Sequence, residues 1–161
     1  MQPKTQVDSF ELDHTKVRAP YVRLADTKVG PHGDRVVKWD VRLVQPNQAE
    51  IPTAPLHTIE HLLAGYLRDA LDGEAVDVVD ASPMGCRTGF YITMLGELPA
   101  ERLLDGMQEA LGAIAQHSGP IPGCAPERCG NWRDHSLPGA NAWASDILKQ
   151  GFIVQDTIPL T

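Results

Sequence analysis

The chain has 161 residues, 42% of them hydrophobic, and a formal net charge of −7. This length and apolar content suit one globular domain, so we expect a single domain over residues 1–161. The negative charge, with no local cluster of lysine and arginine, argues against nucleic acid as a partner. No apolar run approaches the ~20 residues of a membrane span, and the N-terminus lacks the apolar core of a secretory signal, so we expect a cytoplasmic protein with no membrane partner.

The first predicted elements are a strand and a helix with a loop between them. Residues 35–44 alternate between apolar and polar side chains, as in a half-buried strand. The inward residues of this strand are Val37, Trp39, Val41 and Leu43. The polar, proline-rich residues 45–55 predict a loop. Apolar residues then recur at helical spacing from His57 to a stop at Gly73, with Pro55 just before the helix.

The second half of the chain predicts two strands and two helices. Residues 76–82 and 89–95 are strand candidates, and the short spacing between them favours an antiparallel pair. An apolar stripe predicts a helix over residues 100–117, and a shorter helix is predicted over residues 140–150. Because these elements mix without a regular βα alternation, we predict an α+β fold: an antiparallel β-sheet with helices packed mainly on one face.

The first predicted helix carries a candidate metal site. His57 and His61 are four residues apart, so both rings lie on one face and are close enough to share a metal. Such ligands suit zinc or ferrous iron, although a lone pair of this spacing is often fortuitous. Glu60 lies beside them, and His-x-x-Glu-His is also the pattern of inverzincin metallopeptidases. That alternative makes Glu60 the general base and Glu127 a candidate third ligand.

Two cysteines in the later proline- and glycine-rich loop offer further ligands. Cys129 would complete a set of three with one open position, which is how catalytic zinc sites are built. Cys124, five residues earlier, would close a Cys2His2 set of the structural kind. The residues alone leave these arrangements near parity, and the closed set predicts a non-catalytic module that unfolds when its metal is removed.

The remaining cysteine, Cys86, lies between Gly85 and Arg87 just before a predicted strand. Glycines there allow a tight turn and a close approach of the backbone to a ligand. Arg87 is a nearby cation that would favour a thiolate. Such a thiol suits a nucleophile or a general acid–base group, while a buried structural cysteine is the simpler interpretation of this fragment by itself.

Five segments together resemble the S-ribosylhomocysteine lyase family (LuxS-type proteins). They are, in chain order, SFELDHTKVRAPYVR, WDVRLVQPN, HTIEHLLA, DASPMGCRTGFY and CGNWRDH. They stand in the family's order and spacing and cover nearly the whole chain, and HTIEHLLA and SPMGCRTGFY are the most specific of them. Cys124 is not a motif position of the family, and no role is assigned to His135.

The resemblance implies roles for particular residues. His57, His61 and Cys129 would hold one divalent metal ion per subunit, Fe2+ with Zn2+ or Co2+ also accepted, and the fourth position would hold water or a substrate oxygen. Cys86 and Glu60 would be the acid–base pair. The substrate-binding residues implied are Ser9, Phe10, His14, Arg42, Asp80 and Gly130.

The family reaction splits the thioether of S-ribosyl-L-homocysteine into L-homocysteine and 4,5-dihydroxy-2,3-pentanedione, the precursor of autoinducer-2 signals. The sulfur leaves readily only when the sugar carbonyl has migrated to the position β to it, so two isomerisations precede β-elimination. Each step passes through an enediolate, which a divalent ion stabilises, and moves protons between neighbouring carbons, which needs two acid–base groups. The resemblance also implies a homodimer with active sites at the subunit interface.

Overall fold

The computed structural model describes Val7 and residues 10–160, and this part of the chain forms five strands and three helices. The strands are β1 (Tyr21–Val29), β2 (Arg35–Arg42), β3 (Val76–Pro83), β4 (Gly89–Gly96) and β5 (Ile153–Val154). The helices are α1 (Thr53–Ala70), α2 (Ala100–Gln116) and α3 (Leu137–Gln150). Within the described residues, every helix is too short or too polar to cross a bilayer.

The strands form one sheet in the order β3-β4-β2-β1-β5. Neighbouring strands are antiparallel except β5, which pairs in parallel with the first two residues of β1. The predicted antiparallel pairing of β3 with β4 is confirmed, and so is the α+β fold.

One face of the sheet packs against the helices. The alternation predicted for β2 is present, because Val37, Trp39 and Val41 are buried and lie opposite three buried residues of β4. Those partners are Met94, Ile92 and Phe90. All six belong to one apolar cluster with side chains of α1, α2 and α3. Burial of this kind stabilises a fold by about 1.5–3 kcal/mol for each large side chain.

The opposite face is buried at one end only. There Tyr21 lies opposite Arg42, and Arg23 lies opposite Asp40, and all four side chains are almost inaccessible to solvent. A second, smaller apolar cluster covers this end, formed by both ends of the described chain. Its members are Leu12, Val17, Ala19, Tyr21 and Ile158. Four polar residues are therefore held inside the protein next to the end of β2.

Strand β1 was not predicted from the sequence. Its first three residues are all buried, because the helices cover one face and the terminal segments cover the other. An irregularity between Leu24 and Asp26 then shifts the pairing register. A strand that is buried on both faces and interrupted by a bulge lacks the period-two pattern by which strands are recognised.

Two predicted helix starts were wrong by about one turn. Helix α1 begins at Thr53, so Pro55 lies inside its first turn instead of before it. The first-turn N–H groups have no acceptor within the helix, so a proline there costs no hydrogen bond. Helix α3 begins at Leu137, because Ser136 caps it by accepting a hydrogen bond from the Gly139 N–H at 3.2 Å.

Candidate active site

Helix α1 presents two histidines on the side that faces away from the core. Ile59, Leu62 and Leu63 are buried among the apolar residues, while His57 and His61 are half-buried. Their ring centres lie 4.7 Å apart and the rings are nearly perpendicular. One turn of helix therefore places two imidazoles side by side, as the spacing predicted.

Backbone carbonyls fix the tautomer of both rings. His57 donates from Nδ1 to the carbonyl oxygen of Asp134 at 2.9 Å, and His61 donates from Nδ1 to that of Pro122 at 2.6 Å. A carbonyl oxygen only accepts, so each Nδ1 carries the proton and each Nε2 keeps its lone pair. Metal-binding histidines are commonly oriented in this way.

The loop between α2 and α3 brings a thiol to these rings. The Cys129 Sγ lies 3.3 Å from the His57 Nε2, and a hydrogen bond from the Cys129 N–H to the Ala125 carbonyl at 3.0 Å holds it in a helical turn. The structure thus brings together the three residues predicted as metal ligands.

A fourth residue of the cluster, His135, had no role assigned from the sequence. Its ring stacks on that of His57 with a centre-to-centre distance of 4.0 Å, and its Nδ1 lies 3.1 Å from the Thr58 Oγ1. Burial, together with the positive charge that His57 and His61 can carry, lowers the pKa of His135 below its ordinary value. The ligand atoms of these three histidines and Cys129 all lie within 4.8 Å of one another.

These donors fit a divalent metal ion. Imidazole nitrogens with a thiolate suit zinc and ferrous iron, and the carbonyls behind His57 and His61 leave their Nε2 atoms available. Among the described residues, Cys124 stands outside the cluster, because its thiol donates to the Trp132 carbonyl at 3.3 Å. Glu127, the third ligand of the peptidase alternative, is exposed and is likewise outside the cluster.

The Cys86 thiol is exposed on the turn between β3 and β4, and its neighbouring cation is Arg42. The Arg42 Nη1 lies 3.8 Å from the Cys86 Sγ and donates to the Thr88 Oγ1 at 2.8 Å. Arg87, the cation expected from the sequence, instead pairs with Glu50 at 3.3 Å. That expectation was wrong because strand pairing brings Arg42, 44 residues away in sequence, to the thiol.

Buried partners hold Arg42 in place. Asp40 accepts hydrogen bonds from the Nε and Nη2 of Arg42 at 3.1 and 3.0 Å. Arg23 and Tyr21 donate to the same carboxylate at 3.2 and 3.0 Å. Burial opposes the charge on Arg42, but Asp40 outweighs it and raises the Arg42 pKa above its ordinary value. Because Arg23 and Arg42 share the single carboxylate of Asp40, the group has a net positive charge beside Cys86.

Backbone hydrogen bonds connect the turn that carries Cys86 to the segment between β2 and α1. The Thr88 carbonyl accepts from the N–H groups of Leu43 and Val44, and the Arg87 carbonyl accepts from that of Ile51, two residues before the helix, at 2.9 Å. Gly89 permits this approach, since a Cβ there would lie 2.2 Å from the Val41 carbonyl oxygen. Glu60 lies half-buried on α1, next to His61.

The other residues implied in substrate binding are more dispersed. Phe10 is 72% exposed, and His14 donates from Nδ1 to the Leu12 carbonyl at 2.8 Å. Asp80 is exposed on β3 and accepts a hydrogen bond from Ser82. Gly130 is exposed beside Cys129. Ser9 lies outside the described residues.

Comparison with known proteins identifies the family. A family model described as S-ribosylhomocysteinase (LuxS) matches residues 7–158. The S-ribosylhomocysteine lyase of Thermus thermophilus is 55% identical over 155 residues, which cover 96% of this chain and 97% of that protein. That of Deinococcus radiodurans is 52% identical over 160 residues, 99% of each chain. The chain therefore belongs to the S-ribosylhomocysteinase (LuxS) family.

Proposed function

We propose that the protein is a metal-dependent lyase that converts S-ribosyl-L-homocysteine to L-homocysteine and 4,5-dihydroxy-2,3-pentanedione. The observation that carries this proposal is the meeting of His57, His61 and Cys129 in a chain that matches curated S-ribosylhomocysteine lyases over nearly its full length. Carbonyl migration followed by β-elimination needs a group that stabilises negative charge on oxygen and two groups that move protons.

The metal in this proposal is one divalent ion per subunit, Fe2+ or alternatively Zn2+ or Co2+, held by His57, His61 and Cys129. When bound, it supplies a Lewis acid for the negative charge that develops on substrate oxygens. The hydrogen bonds from the two histidines to the Asp134 and Pro122 carbonyls support this ligand set, because they orient both Nε2 lone pairs.

The proton transfers are assigned to Cys86 and Glu60. Each isomerisation removes a proton from one sugar carbon and returns one to its neighbour, so a base on one side must be matched by an acid. The Arg42 guanidinium, 3.8 Å from the Cys86 Sγ, supports this role because it stabilises negative charge on the sulfur. Arg42 and Asp80 are assigned to the charged amino-acid end of the substrate.

The remaining parts of the proposal concern assembly and location. Ser9, Phe10, His14 and Gly130 complete the substrate site, and the protein is a homodimer with active sites at the subunit interface. The exposure of the large apolar side chain of Phe10 supports an interface there. The proposed location is cytoplasmic. The chain is proposed to be a single domain over residues 1–161, which the apolar cluster shared by the sheet and all three helices supports.

The proposal is tested by thiol release from purified S-ribosylhomocysteine, with protein reconstituted anaerobically with Fe2+. We expect release that disappears when a chelator is added and returns with metal. Cys129→Ala should lose both metal and activity, while the matched variant Cys124→Ala should keep both. Full metal occupancy in Cys129→Ala would contradict the ligand assignment, and a folded, metal-loaded protein without thiol release would contradict the lyase.

A further inference from the structure

His135 is a third imidazole, and the fourth residue, in a cluster whose proposed ligand set needs only three protein side chains. Its Nε2 is buried, and within residues 10–160 it has no hydrogen-bond partner. An unpaired buried polar atom costs free energy, so this nitrogen favours a partner that binds in the site.

The hydrogen bonds around Thr58 decide which nitrogen of His135 carries the proton. The Thr58 hydroxyl donates to the Ala54 carbonyl at 2.9 Å and accepts from the Ser136 N–H at 2.9 Å. All three contacts of this oxygen are satisfied only if His135 donates to it from Nδ1. The Nε2 is then a bare acceptor.

Ring geometry shows that His57 and His135 are not both ligands of one ion, and the position of Cys129 favours His57. Two imidazoles bound through Nε2 to one tetrahedral ion, with bonds of about 2 Å, have ring centres about 5 Å apart. His57 and His61 fit this, with nearly perpendicular rings 4.7 Å apart. The ring of His135 lies 4.0 Å from that of His57 with only 23° between the planes, a stack that is too close for both to bind one ion, whereas it lies 4.7 Å from the ring of His61 at 78°. The thiol decides between the two, because the Cys129 Sγ lies 3.3 Å from the His57 Nε2 and the His135 Nε2 has no such contact.

We propose that the Nε2 of His135 accepts a hydrogen bond from a hydroxyl group of the molecule that binds beside the metal, and that His135 is not a metal ligand. The ligand class is polyhydroxylated, since a hydroxyl both donates to this nitrogen and offers its oxygen to the site. This inference rests on the proposed function, in which the ligand is the ribose part of S-ribosylhomocysteine. His135 thereby selects a hydroxylated substrate.

The test uses Co2+-loaded protein carrying Cys86→Ala, so that S-ribosylhomocysteine binds without turnover. His135→Phe removes the acceptor but keeps a stacking ring, His135→Gln offers an acceptor again, and His32→Phe changes an exposed histidine as a control. We expect all variants to keep one cobalt and an unchanged cobalt absorption spectrum. We expect His135→Phe to weaken substrate binding about 10-fold, with partial recovery in His135→Gln.

The outcomes separate this inference from the proposed function. Loss of cobalt or a changed spectrum in His135→Phe would overturn it by making His135 a ligand. Unchanged substrate affinity in His135→Phe would overturn it by removing the acceptor role. If the protein with His135 intact failed to bind S-ribosylhomocysteine at all, the proposed function would fall, and this inference with it.

Discussion

The Cys86 thiol and the cation beside it come from separate parts of the sequence. Cys86 lies on an exposed turn, whereas Arg42 is 2% exposed at the end of β2 and is held by the buried carboxylate of Asp40. The Arg42 guanidinium is held by hydrogen bonds to Asp40 and to Thr88, so it cannot rotate into solvent. It therefore stabilises negative charge on the sulfur at a fixed distance, which a mobile surface arginine does not do.

Cys86→Ala separates chemistry from metal binding. We expect the variant to keep its fold and metal but to lose at least about 100-fold in activity, because the sulfur is proposed as an acid–base group and not as a ligand. Metal content and thiol release, measured on the same preparation, show whether activity is lost while the metal is kept. An inactive variant that has also lost its metal would contradict the assignment.

Asp40→Ala tests the buried ion cluster. Removal of this fully buried carboxylate leaves Arg23 and Arg42 as uncompensated buried cations, so we expect the free energy of unfolding to fall by about 3–5 kcal/mol. The control is Asp146→Ala, which breaks an exposed pair with Lys149 and should change stability by less than about 1 kcal/mol. Denaturant unfolding measures both, and equal effects would argue against the cluster's role.

At the scale of elements, the candidate metal site depends on the loop that joins α2 to α3. That loop supplies Cys129 and the two carbonyls, of Pro122 and Asp134, that orient the α1 histidines. Helix α1 by itself offers two imidazoles that are free to rotate. The loop makes them a defined site, so changes in the loop should alter metal affinity without touching a ligand.

Gly123→Ala examines this dependence. Gly123 has φ +67°, and a Cβ there would lie 3.4 Å from the His61 Nδ1, against the ring that the preceding carbonyl orients. We expect metal affinity to fall about 10-fold, because alanine is strained at this φ and its Cβ would press on the His61 ring. The control Gly112→Ala adds a Cβ where nothing lies within 4 Å, and its affinity should match that of the wild type. Equal affinities in a competition titration with a chelator would refute the loop's role.

The N-terminal segment gives the protein an acid-sensitive contact. Hydrogen bonds from Thr15 and Lys16 lower the pKa of Asp13 from its ordinary 3.8 to about 2. The folded state thus favours the ionised form, so this contact stabilises the fold above about pH 4 and is lost as the pH falls towards 2.

Asp13→Asn should therefore lower stability at about pH 5, and the difference from the wild type should shrink towards zero near pH 2. Denaturant unfolding of both proteins across this range measures the difference. A gap that stays constant with pH would show that the charge of Asp13 does not contribute.

Local patterns predicted some elements and not others. The alternation of β2 and the helical spacing of α1 and α2 reflect one buried and one exposed face, and these three elements are present. Strand β1 gives no such signal, because it is covered on both sides by parts of the chain that are distant in sequence. The start of α3 has a local signal in the cap Ser136 and in Pro138 of the first turn, which the predicted start at residue 140 missed.

At the scale of the whole molecule, the candidate site also combines features that local sequence patterns predict with features that depend on distant parts of the chain. Spacing alone indicated that His57 and His61 share a face, since both lie on one helix. Sequence spacing could not show whether Cys124 or Cys129 lies beside the histidines. The irregular path of the loop between α2 and α3 determines which sulfur reaches the rings. His135 joins them because α3 begins two residues after it and packs beside α1.

The most direct test of the proposed function is a count of both products from one reaction. The Fe2+-loaded protein is incubated with S-ribosylhomocysteine, homocysteine is measured as free thiol, and the dione is trapped with 1,2-phenylenediamine. Elimination consumes no water, so we predict homocysteine and trapped dione in equal amounts, both lost in Cys86→Ala. Homocysteine released together with ribose and no dione would show hydrolysis, and would contradict the lyase.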